Sequence, residues 1–383
     1  MHQPATRPRN RRALIVAAAG RVFGERGYHG ASMEEIAHRV GITAPALYRH
    51  FPNKYALFAE CANAMADGLL AVLDRVPSDA GLEPLLTEIT RETLAHRDSG
   101  GVHRWEARHL AAEERHALSA KFTRVVERVA AEVPAGEDLP PDLRACAALG
   151  AIGSVTMHRT RIAVPRAEQL IVAAATGAAS ATVAPVSPSS SPSAPPAAPA
   201  SRRDEVLAAA IPLFARDGFH HVTLGQVAHE VGVVPSAIYR HFPGKADILA
   251  AACLRAAWLL SERVSKALAD PADSGACVEA LVAAYVAYSF DHRDLTRVAE
   301  AELIGLPPAL RTPLVQAQRD HVAIWVRLLR AARPELDQRQ AAVLVHAGLG
   351  VVVEAGRRLR WQDTPRNRRA VEALVTGALG LGR

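Results

Sequence analysis

Apolar residues recur at intervals of three and four along nearly the whole chain, and no run alternates apolar with polar residues between hairpin turns. The pattern predicts helices throughout and no sheet. The sharpest stripe is Ile15, Ala18, Ala19, Val22 and Phe23, one face of a first helix that Gly27 ends. Ser32 and Glu35 then have the spacing of a capping box, opening a second helix that carries Ala37 and Val40 and stops at Gly41, a residue free to take positive φ. Six residues on, Leu47 marks a third helix over residues 44–50, too short to hold unless Leu47 and Phe51 dock beneath it. Pro52 closes this helix, and Asn53 caps a fourth that starts at Lys54. A small residue, a glycine four later and an aliphatic six beyond let two helices cross through a tight turn, so the segment reads as a helix-turn-helix.

The whole pattern returns 191 positions later. Val206, Ala209, Ala210, Leu213 and Phe214 repeat the stripe, Gly218 the stop, Thr223 and Gln226 the capping box, Gly232 the turn and Ile238 the anchor of a helix over residues 235–241. ALYRHFPNK at 46–54 becomes AIYRHFPGK at 237–245. Two departures weaken the second copy. Val234 stands in place of Thr43 and loses an N-cap hydroxyl, for which Pro235 at the first helical position partly compensates. Pro212 stands where the first copy has Arg21, removing a backbone hydrogen bond and predicting a kink in the helix.

Residues 183–200 are almost entirely Pro, Ala and Ser, with nothing large to bury, and read as a linker between two all-α halves. The organisation is then a reader at 1–54, a helical remainder at 55–182, the linker, a second reader at 201–245 and a second remainder at 246–383. Each remainder ends in two stretches rich in small residues, ACAALGAIGSV and IVAAATGAAS in the first, AGLGVVVEAG and ALVTGALGLG in the second. Small residues let helix axes approach, so these four helices predict a bundle that joins the two halves of one chain.

Charge sharpens the functional reading. Up to Lys54 there are nine Lys and Arg against three acids, a net +6 that equals the formal charge of all 383 residues. Residues 201–245 hold five bases against four acids, a net of +1. A basic first unit points to a polyanionic partner, and the second must lean more on shape and specific contacts. Arg7, Arg9, Arg11 and Arg12 form a basic arm ahead of the first helix. The longest apolar runs, such as Ala341 to Val353, stop at about 13 residues and contain a His, short of a membrane span, and no secretory pattern follows the N-terminus, so a cytoplasmic protein with no membrane partner is expected. Cys61, Cys146, Cys253 and Cys277 are scattered, without metal-ligand spacing. No glycine-rich phosphate loop, G-x-S-x-G or H-E-x-x-H occurs, so neither an enzyme nor a cofactor or metal site is expected.

The duplicated unit with its Tyr-Arg-His-Phe-Pro-x-Lys ending resembles the DNA-binding domain of the TetR/AcrR family of bacterial transcriptional regulators, over about 45 to 50 residues of each half. A tandem chain resembles the minority of that family that fuses two units. The resemblance implies an all-α protein of two TetR-like repeats that acts as a monomeric pseudo-dimer on a double-stranded DNA operator, with a hydrophobic small molecule as effector. It implies phosphate contacts from Thr43, Tyr48, His50 and Lys54, and from Tyr239, His241 and Lys245. Base readout would fall to residues near Ala44, Pro45 and Arg49, and near Val234, Pro235, Ser236 and Arg240. Aromatic and titratable residues of the helical remainders are candidates for lining an effector pocket: His103, Trp105, His109 and His158 in the first, Tyr285, Tyr288, His292, Trp325 and His346 in the second. The alternatives are a helical protein-interaction adaptor, or a ligand-binding enzyme on the same scaffold.

Overall fold

A computed structural model describes residues 11–98, 101–102, 107–134, 136, 138–183, 201–269, 273–303 and 306–381, and among these the regular elements are helices. The first half runs α1 (Arg11–Gly30), α2 (Met33–Val40), α3 (Ala44–Tyr48), α4 (Lys54–Arg75), α5 (Leu82–Ala95), α6 (Ala112–Glu132), α7 (Pro141–Gly153) and α8 (Val164–Ala179). The second runs α9 (Arg202–Asp217), α10 (Leu224–Val231), α11 (Pro235–Ile238), α12 (Lys245–Ala267), α13 (Ser274–Asp291), α14 (Arg293–Glu302), α15 (Pro308–Ala332), α16 (Gln338–Arg358) and α17 (Pro365–Leu379).

Local chemistry sets the boundaries of the reading units. Thr223 and Gln226 make a complete capping box at α10, the Gln226 amide donating to the Thr223 hydroxyl at 3.2 Å and the Thr223 amide to the Gln226 side chain at 2.7 Å. At α2 only half of the device forms. Ser32 accepts from the Glu35 amide at 3.1 Å, but the Glu35 carboxylate lies beside Arg39 and Arg26, at 3.4 and 3.5 Å, because two guanidiniums outcompete one amide. Gly41 and Gly232 both take the left-handed conformation, at φ 69° and 72°, and turn the chain toward the third helix. That helix is shorter than the pattern suggests, because the amides of His50 and Phe51 both close onto the Leu47 carbonyl, as those of His241 and Phe242 do onto Ile238. The chain tightens there so that the phenylalanine can turn inward and the following proline can leave the helix. Pro212 does not end its helix: α9 is continuous from Arg202 to Asp217, anchored by buried Val206, Leu207 and Ala210 before the proline and Leu213 and Phe214 after it.

Burial divides the molecule into two heads and one body. Each head has its own core, centred on Phe23, Leu47, Phe51 and Phe58 in the first and on Phe214, Ile238, Phe242 and Leu249 in the second. The heads extend beyond residues 54 and 245, since α4 supplies Leu57, Phe58 and Ala62 to the first core and α12 supplies Ile248, Leu249 and Ala252 to the second. The body is one core shared by both halves, with α7, α8, α16 and α17 packed as a bundle. α4 is, among the described residues, the one helix long and apolar enough to cross a membrane. Its apolar face is spent on packing, with Leu57, Phe58 and Ala62 in the head and Met65, Leu69 and Val72 in the body.

Equivalent glycines meet where the halves cross. A Cβ placed on Gly150 would lie 2.6 Å from the Gly350 carbonyl oxygen, and one on Gly350 would lie 2.3 Å from that of Gly150. Gly177 and Gly377 show the same reciprocity at 2.2 and 2.4 Å. Each partner is 200 positions from its mate, so the two halves face each other about a pseudo-twofold axis, the geometry of an isologous dimer interface inside one chain.

Candidate nucleic-acid interface

The third helix of each head buries one face and presents the other. Leu47 and Ile238 are fully buried, while Tyr48 and Tyr239 are 46% and 56% exposed. Thr43, Pro45 and Arg49 are exposed and Ala44 and His50 half-buried, whereas Val234, Pro235, Ser236, Arg240 and His241 are all exposed. Thr43 caps its helix through the Ala46 amide at 3.4 Å, and Val234 makes no such bond. Each head therefore offers a Tyr-Arg pair on a short rigid platform, with a first turn of different chemistry in the two copies.

The platform is held from behind by cations. The Arg12 guanidinium lies 4.2 Å from the centre of the Phe51 ring and donates to the His50 carbonyl at 3.0 Å, and Arg203 lies over Phe242 at the same distance. Arg11 and Arg12 are thus the first residues of α1 rather than part of an arm, while Arg7 and Arg9 lie outside the described residues.

The two motif lysines need a correction. The Lys54 ammonium donates to the carbonyls of Tyr28 and Ala31, at 2.9 and 3.1 Å, and lies over the Tyr28 ring. Lys245 donates to Phe219, His220 and Val222, at 2.6, 3.2 and 2.8 Å, and lies over the Phe219 ring. These groups face the chain reversal between the first two helices of each head, which in the first head begins where Gly27 breaks α1 at φ 70°, and not an outer phosphate-facing surface. The reason is local: a turn that breaks the helix leaves several carbonyls without amide partners, and one ammonium can satisfy up to three.

The expected effector-lining residues are dispersed. His103 and Trp105 lie outside the described residues. His109 stacks on Tyr28 and meets His29, whose ring centre lies 4.6 Å from that of His220, the equivalent residue of the other head. His158 and His346 stack at 4.2 Å across the boundary between the halves. Tyr288 packs on His292, and Tyr285 meets Trp325 edge-on at 5.9 Å. None of them lines the cavity of about 320 Å³ in the first half, whose floor is built by Met65, Leu69, Ile89, Leu118, Val125 and Ile152, although His158 lines another of about 620 Å³ with Arg97, Arg161 and Leu303. Those residues carry an ordinary helical core pattern, so nothing in the sequence separates a cavity wall from a filled core.

Burial pushes the His346 and His321 imidazoles down to about 4 and, with Arg108 nearby, His109 to about 3. With folded values below the ordinary 6.5, the unfolded chain takes up the proton first. Stability present above that value is therefore lost as pH falls through the window from about 6.5 toward 4. His321 and His346 should each cost about 2 kcal/mol near pH 5. Denaturation midpoints at neutral and mildly acid pH check this, and a flat profile would contradict it.

Two three-helix heads on a shared helical body define an all-α tandem helix-turn-helix protein. Residues 15–61 and 206–252 each match the family described as bacterial regulatory proteins, tetR family, so the chain carries two TetR-type segments in tandem. It is 43% identical over 61 residues to the transcriptional activator FasR of Mycolicibacterium smegmatis, covering 16% of this chain and 28% of that protein. It is 30% identical over 110 residues to the transcriptional repressor KstR2 of Rhodococcus jostii, covering 27% and 54%. The chain spans about half the length of these relatives or less. A TetR-family regulator from Bordetella parapertussis superposes at TM-score 0.44 and 21% identity, over 47% of this chain and 95% of that one.

Proposed function

We propose that the protein is a DNA-binding transcriptional regulator, a repressor relieved by a hydrophobic small molecule, which reads an asymmetric operator as a fused pseudo-dimer in the cytoplasm. The observation that carries this reading is the pair of exposed third helices, alike in Tyr48-Arg49-His50 and Tyr239-Arg240-His241 and unlike in the turn before them. Tyr48, His50, Tyr239 and His241, with the Thr43 hydroxyl, are the phosphate contacts. Arg49, Arg240 and the residues at 44–46 and 234–237 are the base readers. A symmetric dimer copies every contact and requires an inverted repeat, whereas two unlike heads in one chain are free of that requirement.

α4 supplies the link between ligand and DNA. It starts behind the first reader, with Leu57 and Phe58 in the head core, and reaches the cavity through Met65 and Leu69. A ligand that favours one position of α4 biases the spacing of the two heads.

Selection of binding sites from a random duplex pool tests the reading. The expected result is two dissimilar half-sites, with Arg49→Ala relaxing preference in one of them only, by about 1–3 kcal/mol at the affected base pair. Affinity should also fall steeply with salt, a dependence that an adaptor or an enzyme would not show. A perfect palindrome would refute two distinct readers, and salt-independent or absent DNA binding would refute the regulator.

A further inference from the structure

At the place in the second half that matches the first-half cavity, three described side chains close on one another, and the repeat register shows which residues they replace. Counting 200 positions on, as between the paired glycines, Val125 corresponds to Trp325 and Lys121 to His321. His96-Arg97-Asp98 corresponds to His292-Arg293-Asp294, and in that register Ile89 corresponds to Tyr285. In the first half Ile89 and Val125 line the cavity, and Lys121 turns away from it to bond Asn63 and Asp67 on α4, at 2.7 and 2.6 Å. In the second half the three corresponding aromatic side chains pack on one another. The Trp325 indole is 1% exposed and donates to His321 at 3.0 Å, His321 stacks on Tyr285 at 5.7 Å, and Tyr285 meets Trp325 edge-on. Aromatic rings occupy the volume that isoleucine and valine leave open.

The cavity is also not the property of one half. Its floor belongs to α4, α5, α6 and α7, but Glu354 and Arg357 of α16 line it from the other half. Its exposed lining residues, Arg115, Ser119 and Arg357, mark the mouth. Arg357 pairs with Glu354 at 3.1 Å, and Arg115 donates to the carbonyls of Arg108 and Leu110. Two guanidiniums against one carboxylate, over an apolar floor, suit a molecule with an apolar body and an anionic head.

We propose that the chain binds one such ligand and not two, in the first half only, with its anionic head held at a mouth built by both halves. This deepens the effector part of the regulatory reading. One half senses the ligand, and Arg357 carries the event across the pseudo-twofold axis into α16.

The test needs no DNA. Titration of the full chain with anilinonaphthalene sulfonate, an apolar body with an anionic head, should saturate at one site per chain. Val125→Trp, which writes the second half's plug into the first, should abolish that site. If this variant does not fold, Ile89→Tyr makes the same test. Trp325→Val with Tyr285→Ile should raise the stoichiometry to two. Arg357→Met should weaken the sulfonate probe about tenfold or more and leave the neutral phenylnaphthylamine unchanged. Two sites in the unaltered chain, no saturable site, or full binding after Val125→Trp overturns the single pocket, and equal weakening of both probes by Arg357→Met overturns the anionic head. A chain that binds one probe but no DNA refutes the regulator and leaves this inference standing. A DNA-binding chain with two probe sites does the reverse.

Discussion

Valine in place of Gly177 is expected to destabilise the protein by about 3 kcal/mol or more and to loosen the contact between its halves. The added Cβ alone would sit 2.2 Å from the Gly377 carbonyl oxygen and 3.0 Å from its carbon, and a backbone in mid-helix cannot turn aside as a side chain can. Alanine at the same position gives the cleaner sign. Inside a helix, replacing glycine by alanine ordinarily stabilises by up to about 1 kcal/mol, so a loss at Gly177 must come from the facing helix and not from α8 itself. Gly225→Ala serves as the control. Gly225 also lies within a helix, and a Cβ there meets nothing nearer than 3.7 Å, so this variant should be neutral or stabilised. Denaturant midpoints read all three, and size-exclusion elution reports whether Gly177→Val swells the chain. If Gly177→Ala behaved like Gly225→Ala, the halves would not meet there.

The second large effect concerns Lys54 and Lys245. Lys245→Met should cost about 2–3 kcal/mol, because the methionine covers the Phe219 ring but leaves three turn carbonyls without their charged donor. Lys54→Met should cost somewhat less, with two carbonyls affected. The companion measurement is the slope of log affinity against log salt. A lysine on a phosphate removes about one unit from that slope when it is lost, whereas a lysine that holds a turn lowers affinity only as far as the head unfolds. An unchanged stability with a flatter slope would restore both lysines to the DNA surface.

The reading heads were legible in the chain because their determinants are local. Periodicity at three and four gave the stripes of α1 and α9, Gly41 and Gly232 gave the turn, and Asn53 gave the start of α4, where it caps the Ala56 amide at 2.8 Å. Small residues marked the bundle helices for a similar reason, since close approach excludes side chains before any partner is known.

What depended on distant partners was not legible. Glu35 has the right spacing for a capping box, yet Arg26 and Arg39 divert it. Lys54 stands in a motif that suggests DNA, and whether its ammonium points outward depends on carbonyls 23 and 26 residues earlier. Helical spacing makes Val125 and Trp325 equally good core residues. Only the packed structure shows that one borders an open cavity while the other, against Tyr285 and His321, closes its counterpart. Caps, turns and stripes are set within a few bonds of the chain, so the sequence determined two helix-turn-helix heads. Which side chains face inward, and where space is left over, is settled by competition among groups far apart in sequence, and that only the tertiary structure decided.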